Sequence, residues 1–334
     1  MGISFSLCIS HPFNDVGKLE FPFQVTSQSM SPRAPELTFQ VVPIKKRRIR
    51  VLSLFDGIST ALYVLEEKLN LDIDIFFSSE IDQKAIRIQR ERWDGKIVQL
   101  GDVKKIDQTL LHSLGRIDLV LGGSPCDELS LVNWRGRGLN DPESSGHLFY
   151  NFKTIKEFFE KRMNGQGLPF FWLFENTNKM RCSVKEEISK HLQVHPVLIC
   201  ASQFLPMLRM RYFWGNIPNM ENFEKRMNCK SSLHLSCFLK PGRLANLDVT
   251  KTITTNVSNQ FSRKGNTLPV TMNGKETPLT LNEVELLFGF PEHYTDASNL
   301  SVRERYSLLA KGWCVPVVAS VLGPLAEIFK VKEE

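Results

Sequence analysis

Residues 122–126 read Gly-Gly-Ser-Pro-Cys and follow the apolar run IDLVLGG. A free cysteine usually serves as a small buried apolar residue. Here Cys126 stands at the tip of a strand, behind two glycines and a proline, so a presented thiol is the second reading. The next apolar run, PFFWLFEN, closes on Phe174-Glu175-Asn176. If both runs are parallel strands, their tips are neighbours, and a thiol faces a carboxyl group. That pair suits one reaction in particular. A thiolate adds to carbon 6 of a pyrimidine while a carboxylic acid protonates or hydrogen-bonds ring nitrogen 3, which makes carbon 5 nucleophilic towards a sulfonium methyl group. The thiol then needs polar or cationic surroundings. Arg209 and Arg211 stand two apart in RMRYFWGN. In an extended segment they point the same way, either onto a pyrimidine carbonyl or into solvent as an ordinary salt-bridge pair.

Such groups need a rigid frame, and the chain supplies one. IRVLSLF, IDIFFSSE, GKIVQL, IDLVLGG and PFFWLFEN read as strands, with helical stretches such as STALYVLEEKL, DQKAIRIQRERW and HLFYNFKTIKEFFEKRM among them. Strands that are apolar nearly throughout, alternating with helices, predict a parallel sheet covered on both faces. The fold class is a doubly wound, Rossmann-like α/β domain. In such sheets ligands bind at the carboxyl ends of the strands. The first such loop is Phe55-Asp56-Gly57-Ile58-Ser59-Thr60. It has one glycine and matches neither a dinucleotide nor a triphosphate fingerprint. Asp56, Glu80 and Asp102 follow the first three strands. Singly each is a cap or a surface group; together they point to an adenosine-type cofactor without a diphosphate.

The 334 residues divide into an irregular extension over 1–44, a cofactor-binding body over 45–216, a polar lobe over 217–268 and a return to the body over 269–334. The formal net charge is +6, concentrated in two places. KKRRIR at 45–50 carries five positive charges, and 217–268 holds eight Lys/Arg against three Asp/Glu. Two basic islands mean either solvated surface or a polyanionic partner. The seven cysteines are scattered and form no CxxC pair, so neither a metal site nor a disulfide framework is expected. No run is long enough to span a membrane.

The ordered set FDGIST, SSE, GDV, GGSPC, FEN, RMRYFWGN and GWCVPV resembles the DNA cytosine-5 methyltransferases, and RVLSLFDGI, RYFWGN and GFPEHYTD look most like their animal de novo branch. The resemblance runs over about 45–330 and implies DNA (cytosine-5)-methyltransferase activity, de novo on CpG, with S-adenosyl-L-methionine as methyl donor. It implies Cys126 as nucleophile, Glu175 on ring nitrogen 3, and the pair Arg209 and Arg211, chiefly Arg211, on a flipped base. Phe55, Asp56, Glu80, Asp102 and Trp313 would hold the cofactor, with Phe55 and Trp313 against the adenine. Gly57, Ile58, Ser59, Thr60 and Val103 would line the same site. Double-stranded DNA would be the partner, gripped by the basic lobe through Arg243, Thr254, Asn256 and Lys264, and the location would be the nucleus. KKRRIR would serve as a nuclear signal, a DNA-contacting strand leader, or both.

Some residues depart from the branch. Asp127 stands where it usually has Asn, which sets a negative charge beside a thiol meant to ionise. Thr177, Lys311-Gly312 and Val302 also differ. HLFYNF at 147–152 matches the family's aromatic interface helix, so Phe149 and Phe152 are either an exposed oligomer contact or core. Two rivals remain: a catalytically weak or inactive paralogue that binds DNA and an active methyltransferase, and an RNA cytosine-5 methyltransferase.

Overall fold

The computed structural model describes residues 46–131, 133, 135–225, 231–255, 268–297 and 299–332. Its centre is a seven-stranded sheet in the order β3-β2-β1-β4-β5-β8-β6. The strands are β1 (Ile49–Leu54), β2 (Ile73–Ser79), β3 (Ile97–Gln99), β4 (Leu119–Gly122), β5 (Phe171–Thr177), β6 (Val197–Cys200) and β8 (Met210–Gly215), with β7 (Met207–Leu208) outside this sheet. The first five run parallel, as the apolar runs predict. β8 runs antiparallel to both neighbours, a departure from an all-parallel sheet. The cause is chain length: only 201–209 join β6 to β8, too few for a crossover helix.

Alternate residues of β1 feed two cores. Val51 packs with Leu119, Leu121 and Leu173 on one face, while Leu52 packs with Val120, Trp172 and Phe174 on the other. This is the layered arrangement of a sheet wound on both sides. Among the described residues the α-helices are α1 (Thr60–Tyr63), α2 (Gln83–Arg92), α3 (Gln108–Ser113), α4 (Phe149–Gly165), α5 (Cys182–Leu192), α6 (Asn222–Lys225), α7 (Leu281–Leu287), α8 (Val302–Lys311), α9 (Val315–Leu322) and α10 (Leu325–Ile328). α1 continues as a π turn over Val64–Lys68 rather than as the longer α-helix that STALYVLEEKL predicts. α7 and α8 each begin with a full capping box, Thr280 with Glu283 and Ser301 with Glu304.

Phe149 and Phe152 on α4 are both 0% exposed, with ring centroids 5.3 and 4.8 Å from Phe174. They are core, and the exposed-interface expectation for these two rings is overturned. The sheet's apolar β5 draws them in, because α4 is the helix that covers that face.

The basic run at 45–50 also has a structural use. Arg47 pairs with Asp118 at 2.7 Å, Arg48 with Asp72 at 2.8 Å, and Arg50 with Asp74 at 2.9 Å. These pairs sit at the amino ends of the strands, opposite the loops that follow them. The expectation of a DNA-contacting strand leader is corrected on that ground for Arg47, Arg48 and Arg50.

Beyond β8, β9 (Arg243–Ala245) pairs with β11 (Val270–Met272), which turns back as β12 (Lys275–Thr277), while β10 (Thr250–Lys251) pairs with β7. The β11–β12 turn is Asn273-Gly274, both with positive φ (52° and 71°). Asn-Gly between strand residues is a strong hairpin signal, and it lies just past the polar lobe, to which it adds two strands.

Candidate active site

The loop after β1 is held in an unusual backbone. Phe55, Gly57 and Ser59 all have left-handed φ, at 56°, 58° and 57°. Non-glycine residues at such angles persist only where their surroundings over-determine them. Asp56 does that here. Its carboxylate accepts from Ser53 Oγ (2.5 Å), Ser59 Oγ (2.6 Å), Ser78 Oγ (3.0 Å) and Gln89 Nε2 (2.9 Å). The side chain therefore faces inward and ties β1, β2 and α2 together, instead of reaching outward to a cofactor. Burial pushes its carboxyl up to about 6, against the opposing hydroxyl bonds. A carboxyl whose folded value lies above its unfolded value stabilises the fold most below the unfolded value, and that benefit is lost as pH rises through the folded value. Asp56 should thus make wild-type stability fall by about 3 kcal/mol between roughly pH 4 and pH 6. Urea unfolding of wild type and Asp56→Asn across that window checks this: the stability difference between them should shift by that amount in the variant's favour as pH rises.

Glu80 and Asp102 are partly caps. Glu80 accepts from Gly57 N (2.7 Å) through one oxygen and from Ile81 N and Asp82 N (both 2.8 Å) through the other. Asp102 accepts from Lys104 N at 2.9 Å. Glu80 thereby joins the β2 tip to the strained loop. Ile58, Ser59, Thr60 and Val103 are buried, whereas Phe55, Gly57, Glu80 and Asp102 are partly open. A side chain on Gly57 or on Gly101 (φ 73°) would meet nothing within 4 Å, so the backbone here borders open space. Backbone and carboxylates at these tips suit a cationic nucleoside better than a polyphosphate, and S-adenosylmethionine fits that donor set.

Cys126 follows β4, which lies beside β1 at the point where the strand order reverses. Its loop is fixed by Asn176, whose Nδ2 donates to the Ser124 carbonyl at 3.1 Å and to Ser124 Oγ at 3.3 Å. The two glycines before it are needed for close approach. A Cβ on Gly122 would come within 2.8 Å of the Phe152 ring, and one on Gly123 within 3.1 Å of both the Glu175 carbonyl and its carboxylate. β5 runs past the end of β4 and pairs with β8 there, so Glu175 lies within the strand opposite Phe213. Arg211 Nε pairs with Glu175 Oε1 at 3.0 Å, and Trp313 Nε1 donates to Oε2 at 2.9 Å. The structure therefore brings Glu175, Arg211 and Trp313 together beside the Cys126 loop. Asn176 is the positioning residue that strand reading alone passed over; its signal was its place directly after Glu175.

Burial pushes the Cys126 thiol up, and the Glu175 carboxylate adds to this more than Asp127 does; Arg211 and, less, Arg209 oppose them. Asp127 is exposed, so solvent screens it.

Arg209 parts company with Arg211. It sits between β7 and β8, is 4% exposed, and donates to the carbonyls of Ile253 (3.2 Å), Ala310 (2.9 Å) and Gly312 (2.8 Å). Its guanidinium also lies 5.1 Å from the Phe288 ring centroid. Both arginines line one small cavity with Glu175 and Trp313, but only Arg211 pairs with the acid. Arg243 is likewise committed elsewhere: its side chain is 7% exposed, 2.7 Å from the fully buried Glu283, and it donates to the Pro278 carbonyl. The expectation that Arg243 grips DNA is overturned by that buried ion pair. Thr254 is exposed; Asn256 and Lys264 lie outside the described residues.

Comparison with known proteins gives the same direction. Residues 49–195 match the family described as C-5 cytosine-specific DNA methylase. The DNA (cytosine-5)-methyltransferase DRM2 of Arabidopsis thaliana is 33% identical over 136 residues, which cover 37% of this chain and 21% of that protein. The orphan methyltransferase M.Rho11sI of Bacillus phage rho11s is 32% identical over 131 residues, 39% of this chain and 23% of that one. The chain thus spans under a quarter of the length of these relatives, a plant and a phage protein, and neither bears on the animal de novo branch. Two solved structures share the fold: the Entamoeba histolytica methyltransferase EhMeth (TM-score 0.64, 16% identity) and the S. pombe Dnmt2 methyltransferase (TM-score 0.61, 20% identity), each covering 84% of this chain and 99% of its own.

Proposed function

We propose that this chain is a DNA (cytosine-5)-methyltransferase, acting de novo on CpG in the nucleus with S-adenosylmethionine as methyl donor. The observation that carries the reading is the cluster at the β4 and β5 tips: Cys126 on a loop pinned by Asn176, and Glu175 held by Arg211 at 3.0 Å and Trp313 at 2.9 Å. Phe55, Gly57, Glu80 and Asp102 border the cofactor's place at the adjoining tips. S-adenosylmethionine held there would supply an electrophilic methyl group, with a neutral thioether as the leaving group. Cys126 adds through sulfur to carbon 6 of the cytosine, while Glu175 and Arg211 meet its nitrogen 3 and carbonyl edge, so that carbon 5 becomes the nucleophile. Once carbon 5 carries the methyl group it loses its proton to a base from solvent. The carbon–sulfur bond then breaks, returning 5-methylcytosine and the Cys126 thiolate. Because carbon 6 is hidden in a duplex, the base must leave the stack first. The raised Cys126 thiol makes Arg211 the residue in this cluster that most favours thiolate formation.

The test is transfer of labelled methyl from S-adenosylmethionine to unmethylated CpG duplex, hemimethylated duplex, duplex lacking CpG, and tRNA. Comparable label in the two CpG duplexes supports the reading. Label confined to tRNA, or to hemimethylated duplex, contradicts it. Arg243 enters here as a negative control on DNA contact. Arg243→Ala leaves the buried Glu283 with its backbone donors but without a counter-charge, a cost of about 3 kcal/mol. Its thermal melt should fall, while the slope of DNA affinity against salt stays at the wild-type value because no phosphate contact is removed.

A further inference from the structure

Trp313 does something at this site that the proposed chemistry leaves unused. Arg211 Nε lies 3.0 Å from one oxygen of Glu175, and a contact to that oxygen alone would let the carboxylate turn about its terminal bond. The Trp313 indole N–H takes the other oxygen at 2.9 Å, and two donors on two oxygens fix the plane of the group. A Cβ on Gly123 would lie 3.1 Å from Glu175 Oε2 and 3.5 Å from Trp313 Nε1, so indole, carboxylate and the approach to Cys126 are in one contact. The backbone leading into Trp313 is anchored as well. The neighbouring Gly312 rests near Ile58 of the strained loop, where a Cβ would stand 3.6 Å from Ile58 Cδ1. The Gly312 and Ala310 carbonyls are gripped by Arg209, which also reaches Ile253 in the polar lobe.

We propose that Trp313 is a positioning residue for Glu175: its indole N–H orients the carboxylate for the target base, and so acts on the chemical step as well as bordering the cofactor. This rests on the cytosine-methylation reading above. The test replaces Trp313 with Phe and, separately, with benzothienylalanine, which keeps the indole's volume but has sulfur in place of the N–H. For wild type and both variants, kcat on unmethylated CpG duplex, KM for DNA, the S-adenosylmethionine Kd and the thermal melt are measured. A kcat lower by about tenfold or more in both variants is expected, the range for losing one hydrogen bond to a charged group. In the benzothienylalanine protein, which keeps the ring's volume beside the cofactor, the S-adenosylmethionine Kd and the KM for DNA should stay within about threefold. Unchanged kcat in the benzothienylalanine protein overturns the proposal, as does a loss confined to cofactor affinity. If wild type transfers no methyl group to any DNA, the functional reading fails and takes this role with it; an active wild type with unaffected variants defeats the Trp313 role alone.

Discussion

Cys126→Ala is expected to reduce methyl transfer to DNA by at least about 10⁴-fold, the scale on which removing a covalent nucleophile acts. The variant should still fold. The Cys126 carbonyl, not its sulfur, accepts the amides of Leu129 and Ser130 at 3.1 and 2.9 Å, and an alanine backbone makes the same bonds. Cofactor affinity should also survive, because the loop over 55–60 is fixed by the Asp56 network and by Glu80 on Gly57 N, with no contribution from the thiol. Single-turnover transfer and cofactor titration, made on the same preparation, separate the two quantities. A variant that loses cofactor binding in step with activity would mean that Cys126 supports the loop instead of reacting.

The second large effect is on stability. Arg209→Met should cost about 3–5 kcal/mol, since it leaves two buried carbonyls and one part-buried carbonyl without their donor and removes the tie among the 253, 310 and 312 segments. At roughly 2–4 °C per kcal/mol, the melt should fall by about 10 °C. Burial lowers Arg209 only to about 10, so it remains a cation at neutral pH and the loss is present throughout the working range. Arg211→Met should behave differently, because that side chain is bound to Glu175 and to the single exposed carbonyl of its neighbour Met210, and ties no distant segments together. A melt unchanged by Arg209→Met would show that the carbonyls find other donors.

The parts of the site legible in the sequence are those fixed by strand period. Cys126 and the acids after β1, β2 and β3 follow strand ends, and apolar runs ending in short polar stretches mark those ends; Glu175 lies inside β5, which runs on to pair with β8. The direction in which a side chain turns at the tip is a different matter. Asp56 looks inward because Ser78 and Gln89 arrive from β2 and α2, and nothing in FDGIST announces them. Arg209 and Arg211 are equivalent by spacing, yet Arg209 falls in the break between β7 and β8 and meets carbonyls contributed by segments far along the chain. Arg243 finds Glu283 forty residues away, and the basic run at 45–50 finds Asp72, Asp74 and Asp118 on neighbouring strands. A local surplus of positive charge says little about a binding face when its partners come from elsewhere in the fold. The Asn273-Gly274 hairpin was different in kind: its signal was local and present.

The most direct test of the account is a duplex carrying 5-fluorocytosine at CpG, incubated with the protein and S-adenosylmethionine. Fluorine at carbon 5 cannot leave as a proton does, so the sulfur–carbon 6 bond should persist after methyl transfer. The account predicts a denaturation-resistant protein–DNA adduct whose only modified peptide contains Cys126, formed with cofactor and absent in Cys126→Ala. Methylation of ordinary CpG duplex without any such adduct, or an adduct on another residue, would contradict it.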